Sequence, residues 1–267
     1  MSLAIDLSGR RAFVTGVTSG IGLGIARQLA RAGCSVAGCG RSAADSAGAQ
    51  AFESVVRAEG VEAHYLRADV SVADEARGVA RRAAEALGGL DVLVSNAGRN
   101  VFAGAEGCTE SQWDECMQLD LAAHWRVAQA SREALLASCA AGRKPVVIVI
   151  GSNHMHATIP GCFPYNVAKA GMGALVQSLA IEWGPAIRAV GIAPGFIDTA
   201  GNDVWFDSFP DPLAERARTG CLHPTGRIGT VDEVGALCAF LASPFAGFVC
   251  GTTILADGGR SALLQDS

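Results

Sequence analysis

Lysine and tyrosine are nearly absent from this chain of 267 residues. Each occurs twice, at Lys144 and Lys169 and at Tyr65 and Tyr165, against nineteen arginines. No block of Lys and Arg stands out, Arg81–Arg82 being only a pair, and the formal net charge is −5 with a pI near 5.5. A nucleic-acid partner would call for a basic face, so that class is set aside. Nine cysteines are scattered without a C-x-x-C pair. That argues against a disulfide framework or a zinc site and for small buried apolar residues in a reducing compartment. Mean hydropathy is +0.29, yet no apolar run reaches the roughly 18–20 residues that cross a bilayer. The opening MSLAIDLSGRRAF lacks the charged-then-apolar pattern of a secretion signal. The expectation is a soluble cytoplasmic protein that acts on small molecules, without a metal, membrane or nucleic-acid partner.

What the chain does have is alternation. Short apolar runs rich in Val read as buried strands at 11–15, 35–39, 91–95, 145–150, 189–193 and 252–256, with a weaker one at 64–68. Amphipathic segments at 21–32, 43–58 and 72–87 separate the early strands, and further helices are expected at about 109–139, 164–183 and 231–242. Thr109 and Gln112 have capping-box spacing at the start of the long one. Strands alternating with helices predict a single α/β domain, doubly wound, with right-handed crossovers. Segment 200–225, rich in Pro and aromatics, breaks the alternation and is expected to be a lid or substrate loop.

Two further patterns carry chemistry. TGVTSGIG, residues 15–22, places Gly16, Gly20 and Gly22 in the first strand-to-helix turn, where backbone passes close to a pyrophosphate and the helix start offers free N–H groups. At the end of the second strand, where an acid would take the ribose hydroxyls of NAD, stand Gly40 and Arg41. An arginine there can hold a 2′-phosphate, which favours NADP over NAD. In YNVAK, 165–169, the two rare residue types sit four apart, so Tyr165 and Lys169 project from one helix face. A free phenol titrates near ~10; a neighbouring ammonium favours the phenolate and makes it a usable base. Lysine retained in an arginine-rich chain points to a task arginine cannot perform.

TGVTSGIG, NAG at 96–98, Ser152 ahead of Tyr165, YNVAK, PGFIDT at 194–199 and ADGG at 256–259, in that order over almost the whole chain, resemble the short-chain dehydrogenase/reductase family. The resemblance implies a Rossmann fold with a central parallel sheet of about seven strands and a nicotinamide-dependent oxidoreductase. It implies that Ser152, Tyr165 and Lys169 are catalytic. Gly16, Thr18, Ser19, Gly20, Ile21 and Gly22 would line the pyrophosphate, Asp69 and Val70 the adenine, and Asn96 and Gly98 the cofactor's flank. Ile197 and Thr199, after Pro194 and Gly195, would reach the nicotinamide, and Lys169 the ribose. His154 is expected in the substrate pocket with Ser152 and Tyr165. Sugar or polyol dehydrogenases are the first substrate class expected; a 3-oxoacyl-thioester reductase and a non-catalytic NADP sensor are the rivals. Relatives are often tetramers or dimers, so a homo-oligomer is expected.

The sequence also departs from the family. Where an asparagine usually follows the tryptophan by seven residues, Trp113 is followed by Asp120. The family uses that residue's main-chain carbonyl to hold a water in a proton relay to the lysine. Asp120 is therefore expected to keep a catalytic part and to alter the pH optimum. Gly151, ahead of Ser152, and Val190 are expected to be structural.

Overall fold

The computed structural model describes residues 4–263. The first half runs β1 (Arg11–Thr15), α1 (Gly20–Arg31), β2 (Ser35–Gly40), α2 (Ala47–Arg57), β3 (Ala63–Arg67), α3 (Ala73–Ala86), β4 (Val92–Ser95), α4 (Glu110–Met117), α5 (Ala123–Ala140) and β5 (Val146–Ile150). The second half runs α6 (Tyr165–Trp183), β6 (Arg188–Pro194), β7 (Ile197–Asp198), α7 (Ala200–Phe206), α8 (Pro212–Cys221), β8 (Gly229–Thr230), α9 (Val231–Ala242) and β9 (Thr253–Ala256).

Seven strands form one parallel sheet in the order β3-β2-β1-β4-β5-β6-β9, and β7 pairs with β8 separately. Parallel strands covered on both faces must be apolar at every position, and β5 is buried throughout. Its side chains alternate between two cores. Val146, Ile148 and Ile150 face Ile25 and Leu29 of α1, Phe52 of α2 and Val234 of α9. Val147 and Val149 face Val79 of α3, Val127 of α5 and Met172 of α6. Strand order reverses between β1 and β4, and the crevice beyond the strands' C-terminal ends at such a switch point is where ligands bind.

Two expectations need correction. The helix expected over 109–139 is α4 and α5 joined by a wider π-helical turn, Gln118–Ala122, that carries Asp120. Segment 200–225 is mostly helical: Pro212 opens α8 behind an Asp211 cap whose side chain accepts from Ala214 N–H. Arg216 of α8 pairs with Asp198 at 2.7 Å and with Asp203 of α7, and its guanidinium lies over Phe206. Phe196, Trp205, Phe206 and Phe209 form one aromatic cluster beneath. Of the nine cysteines, all free, Cys34, Cys39, Cys116, Cys162 and Cys238 are buried as expected, whereas Cys221 and Cys250 are exposed. No helix among the described residues is long and apolar enough to cross a membrane.

Candidate active site

A cleft of about 1540 Å³ opens over the C-terminal strand ends. Every site residue expected from the sequence lines it, from Gly16, Thr18, Ser19, Gly20, Ile21, Gly22 and Arg41 through Asp69, Val70, Asn96, Gly98 and Asp120. Ser152, His154, Tyr165, Lys169, Pro194, Gly195, Ile197 and Thr199 complete the set. Single ligand pockets typically hold ~300–1,000 Å³, so this cleft has room for a dinucleotide and a substrate together.

The glycine turn is held from the next strand. Thr15 Oγ1 accepts from the N–H groups of Asn96 and Ala97, both at 2.9 Å, and the Asn96 side-chain amide donates to Thr15 O at 2.9 Å. Asn96 thus fixes the turn rather than only flanking it. Glycine is required at residue 22: a Cβ there would meet Gly16 O at 2.1 Å. The turn therefore packs backbone against backbone, and no side chain caps the start of α1 at Ser19.

Tyr165 is the first residue of α6, and Lys169 follows one turn later, with Nζ 5.2 Å from the phenol ring centre. Ser152 lies two residues beyond β5, and its Oγ accepts from His154 N–H at 3.2 Å. Ser152, Tyr165 and Lys169 are all buried. Phe102 packs edge-on against the Tyr165 ring at 5.4 Å, and His154 at 5.9 Å. His154 Nδ1 is tied to Thr158 Oγ1 at 3.2 Å, and burial holds its pKa below the ordinary histidine value.

The main surprise is Asp120. Its carboxylate faces the lysine: Oδ1 is 3.2 Å from Lys169 Nζ, with the Asp120 and Lys169 side chains 0% and 4% exposed. Arg99 N–H donates to the same oxygen at 3.2 Å, and the Cys116 thiol lies 3.9 Å from Oδ2. Burial works to lower the Lys169 pKa, but the charges of Tyr165 and Asp120 outweigh it and the net shift is upward. Burial raises that of Asp120 against the pull of Lys169.

Sequence reasoning missed the layer behind. His124, one turn beyond Asp120, shares a 2.8 Å hydrogen bond with Ser95 at the end of β4, both buried, while His124 Nε2 has no partner among the described residues. The only sequence signal was the four-residue spacing Cys116, Asp120, His124 along one helix face. Burial, and then the Lys169 charge, push the His124 pKa down to about 3. A free histidine titrates near ~6.5, so between these values the unfolded chain binds the extra proton and stability rises with pH. Acidification from pH 7 to pH 5 is expected to remove about 2 kcal/mol through His124 alone. Urea midpoints of the parent and His124→Gln at both pH values check this; an equal fall in the variant would assign the acid sensitivity elsewhere.

The family pattern described as "Enoyl-(Acyl carrier protein) reductase" matches residues 16–261. The chain is 32% identical to 3beta-hydroxysteroid dehydrogenase 1 of Eggerthella lenta, over 96% of this chain and 95% of that one. It is 33% identical to gluconate 5-dehydrogenase of Gluconobacter oxydans, over 95% of each chain. Among solved structures, the Pseudomonas aeruginosa RhlG/NADP active-site complex superposes with a TM-score of 0.87 at 31% identity, covering 98% of this chain and 100% of that one. The expected motifs, the seven-stranded sheet and these full-length matches agree: the chain belongs to the short-chain dehydrogenase/reductase family and is an NAD(P)-dependent oxidoreductase of alcohol and carbonyl groups.

Proposed function

We propose that the protein interconverts a cyclic secondary alcohol and its ketone with NADP as preferred cofactor, using Tyr165 as general base or acid. The observation that carries this reading is the convergence of buried Tyr165, Lys169 and Ser152 on the cleft that the glycine turn closes. The turn fits a pyrophosphate because its glycines leave backbone N–H groups open at the start of α1. When bound, the nicotinamide supplies the hydride acceptor or donor. Ser152 holds the substrate oxygen through its hydroxyl. Tyr165 removes the alcohol proton in oxidation and returns it in reduction, and the Lys169 ammonium favours the phenolate.

Arg41 supports NADP. It is exposed in the cleft, and its guanidinium has no hydrogen bond or ion pair among the described residues. Position 40 is closed to an acid: a Cβ there would meet Thr18 Cγ2 at 2.9 Å and the Tyr65 hydroxyl at 3.1 Å. Charge-assisted hydrogen bonds are worth ~1.5–3 kcal/mol. Arg41→Ala is therefore expected to weaken NADP binding by about tenfold to a hundredfold and to leave NAD affinity nearly unchanged, read as Kd by calorimetry. An equal loss for both cofactors would sink Arg41 as the selector.

The substrate side is walled by Phe102, Ile159, Trp205 and Leu263, all among the chain's exposed large apolar residues. His154 supplies a polar contact on the same wall. Such a surface suits the apolar face of a ring that carries hydroxyls, as cyclic sugars and hydroxysteroids present, in line with the hydroxysteroid that one relative is named for. Nicotinamide absorbance with cyclic alcohols, sugars, hydroxysteroids and 3-oxoacyl thioesters, each with both cofactors, tests the reading. Turnover confined to thioesters, or none with cofactor bound, would overturn it. Nine free thiols support a reducing, cytoplasmic setting, and exposed Ile181 and Phe248 support a homo-oligomer.

A further inference from the structure

We propose that Asp120 is a positioning counter-ion that holds Lys169 and sets the pH at which Tyr165 becomes a base. The inference rests on the dehydrogenase reading above and adds a residue that acts through the lysine without touching substrate.

The geometry carries the inference. The π-helical turn Gln118–Ala122 interrupts one long helix and sets Cys116, Asp120 and His124 on its buried side, facing α6. Insertions of this kind cluster at functional sites because they re-aim side chains. Here the result is an ammonium and a carboxylate in contact at 3.2 Å with almost no solvent. Arg99 N–H donates to the carboxylate and fixes its orientation. An asparagine of the same shape would keep that hydrogen bond and carry no charge.

The charges around Lys169 can be taken in turn. The Cys116 thiol from α4 is pushed up to about 12, by burial first and then by the Asp120 charge, so it is neutral. His124 from α5 is neutral, its pKa near 3. His154, on the far side of Tyr165, is held below the ordinary histidine value by burial. Arg99 is ion-paired with Glu115, so the two largely cancel. What remains is the lysine between two anionic positions, the Tyr165 phenolate and Asp120. Each opposes the other, because both draw on one ammonium in a poorly screened site. The carboxylate therefore restrains phenolate formation and moves the working range for alcohol oxidation to higher pH.

Asp120→Asn in the full-length protein is expected to move the acid limb of the oxidative kcat/KM profile to lower pH by about one unit. Asp120→Glu keeps the charge, and its limb is expected to stay near that of the parent even where turnover falls. A second readout needs no substrate. With only two tyrosines, tyrosinate absorbance of the protein minus that of its Tyr165→Phe form isolates Tyr165. Its midpoint is expected to fall in Asp120→Asn by the same amount. An unmoved limb and midpoint in Asp120→Asn would overturn the proposal, as would equal shifts in the Asn and Glu forms. If no alcohol is ever oxidised, the functional reading fails while the absorbance titration still decides the role of Asp120.

Discussion

Tyr165→Phe is expected to lower kcat and kcat/KM together by roughly two to four orders of magnitude, with cofactor Kd within about twofold of the parent. The change removes one oxygen and little else. The ring's edge contacts with Phe102 and His154 survive in Phe, and the Lys169–Asp120 pair does not depend on the phenol. A parallel fall in both constants is the mark of a group used in the transition state, whereas a binding role would raise KM alone. Steady-state rates across pH, with calorimetry for the cofactor, separate the two. If more than a tenth of the activity remained, the base would have to be another group in the cleft. His154 is the candidate, since its ring already stands 5.9 Å from that of Tyr165 and burial keeps it neutral.

How far the sequence spoke for this site depended on whether the information was local. Parallel strands buried on both faces are apolar along their length, so β5 and β6 stand out from composition alone. The edge strand β3 does not: only Ala63 of its five residues is buried, and the run reads as half polar. Tyr165 and Lys169 were legible because one helical turn separates them, and the glycine turn because each of its glycines is a local backbone requirement. The Asp120–Lys169 and Ser95–His124 pairs bring together residues from distant segments, and nothing in MQLDLAAH says which side chain will face the lysine. The π-helical turn is equally silent, since no Gly or Pro marks it. In 200–225 the aromatic cluster and the Arg216 latch are tertiary, so short helices looked like a loop.

The largest stability effect lies at the other end of β4, away from the chemistry. Asp91, fully buried, accepts from Arg11 N–H at 2.9 Å and from its Nε at 3.0 Å, from Arg143 at 3.2 Å and from the Ser138 hydroxyl. It therefore ties together β1, the end of α5 and the entry to β4. Burial alone would raise its pKa, but the hydrogen bonds from Arg11 and Ser138 outweigh that and hold it below the ordinary carboxylate value. The folded value thus lies under the unfolded one, so the contribution is fully present at neutral pH and is lost as pH falls through the folded value. Removing one member of a buried charged network typically costs ~3–5 kcal/mol. Arg11 and Arg143 keep 22% and 38% of their side chains in solvent, and water can recover part of the loss. Asp91→Ala is accordingly expected to cost about 3 kcal/mol, with Tm lower by roughly 6–12 °C. Turnover of the folded fraction at low temperature should be unaffected, because Asp91 sits at the opposite strand end from the cleft. Arg143→Ala, which removes the most exposed partner, is expected to cost under about 1 kcal/mol. Calorimetric melting of both variants at pH 7 decides the matter. Equal small losses would mean that water replaces the carboxylate and that the network orders this corner without stabilising it.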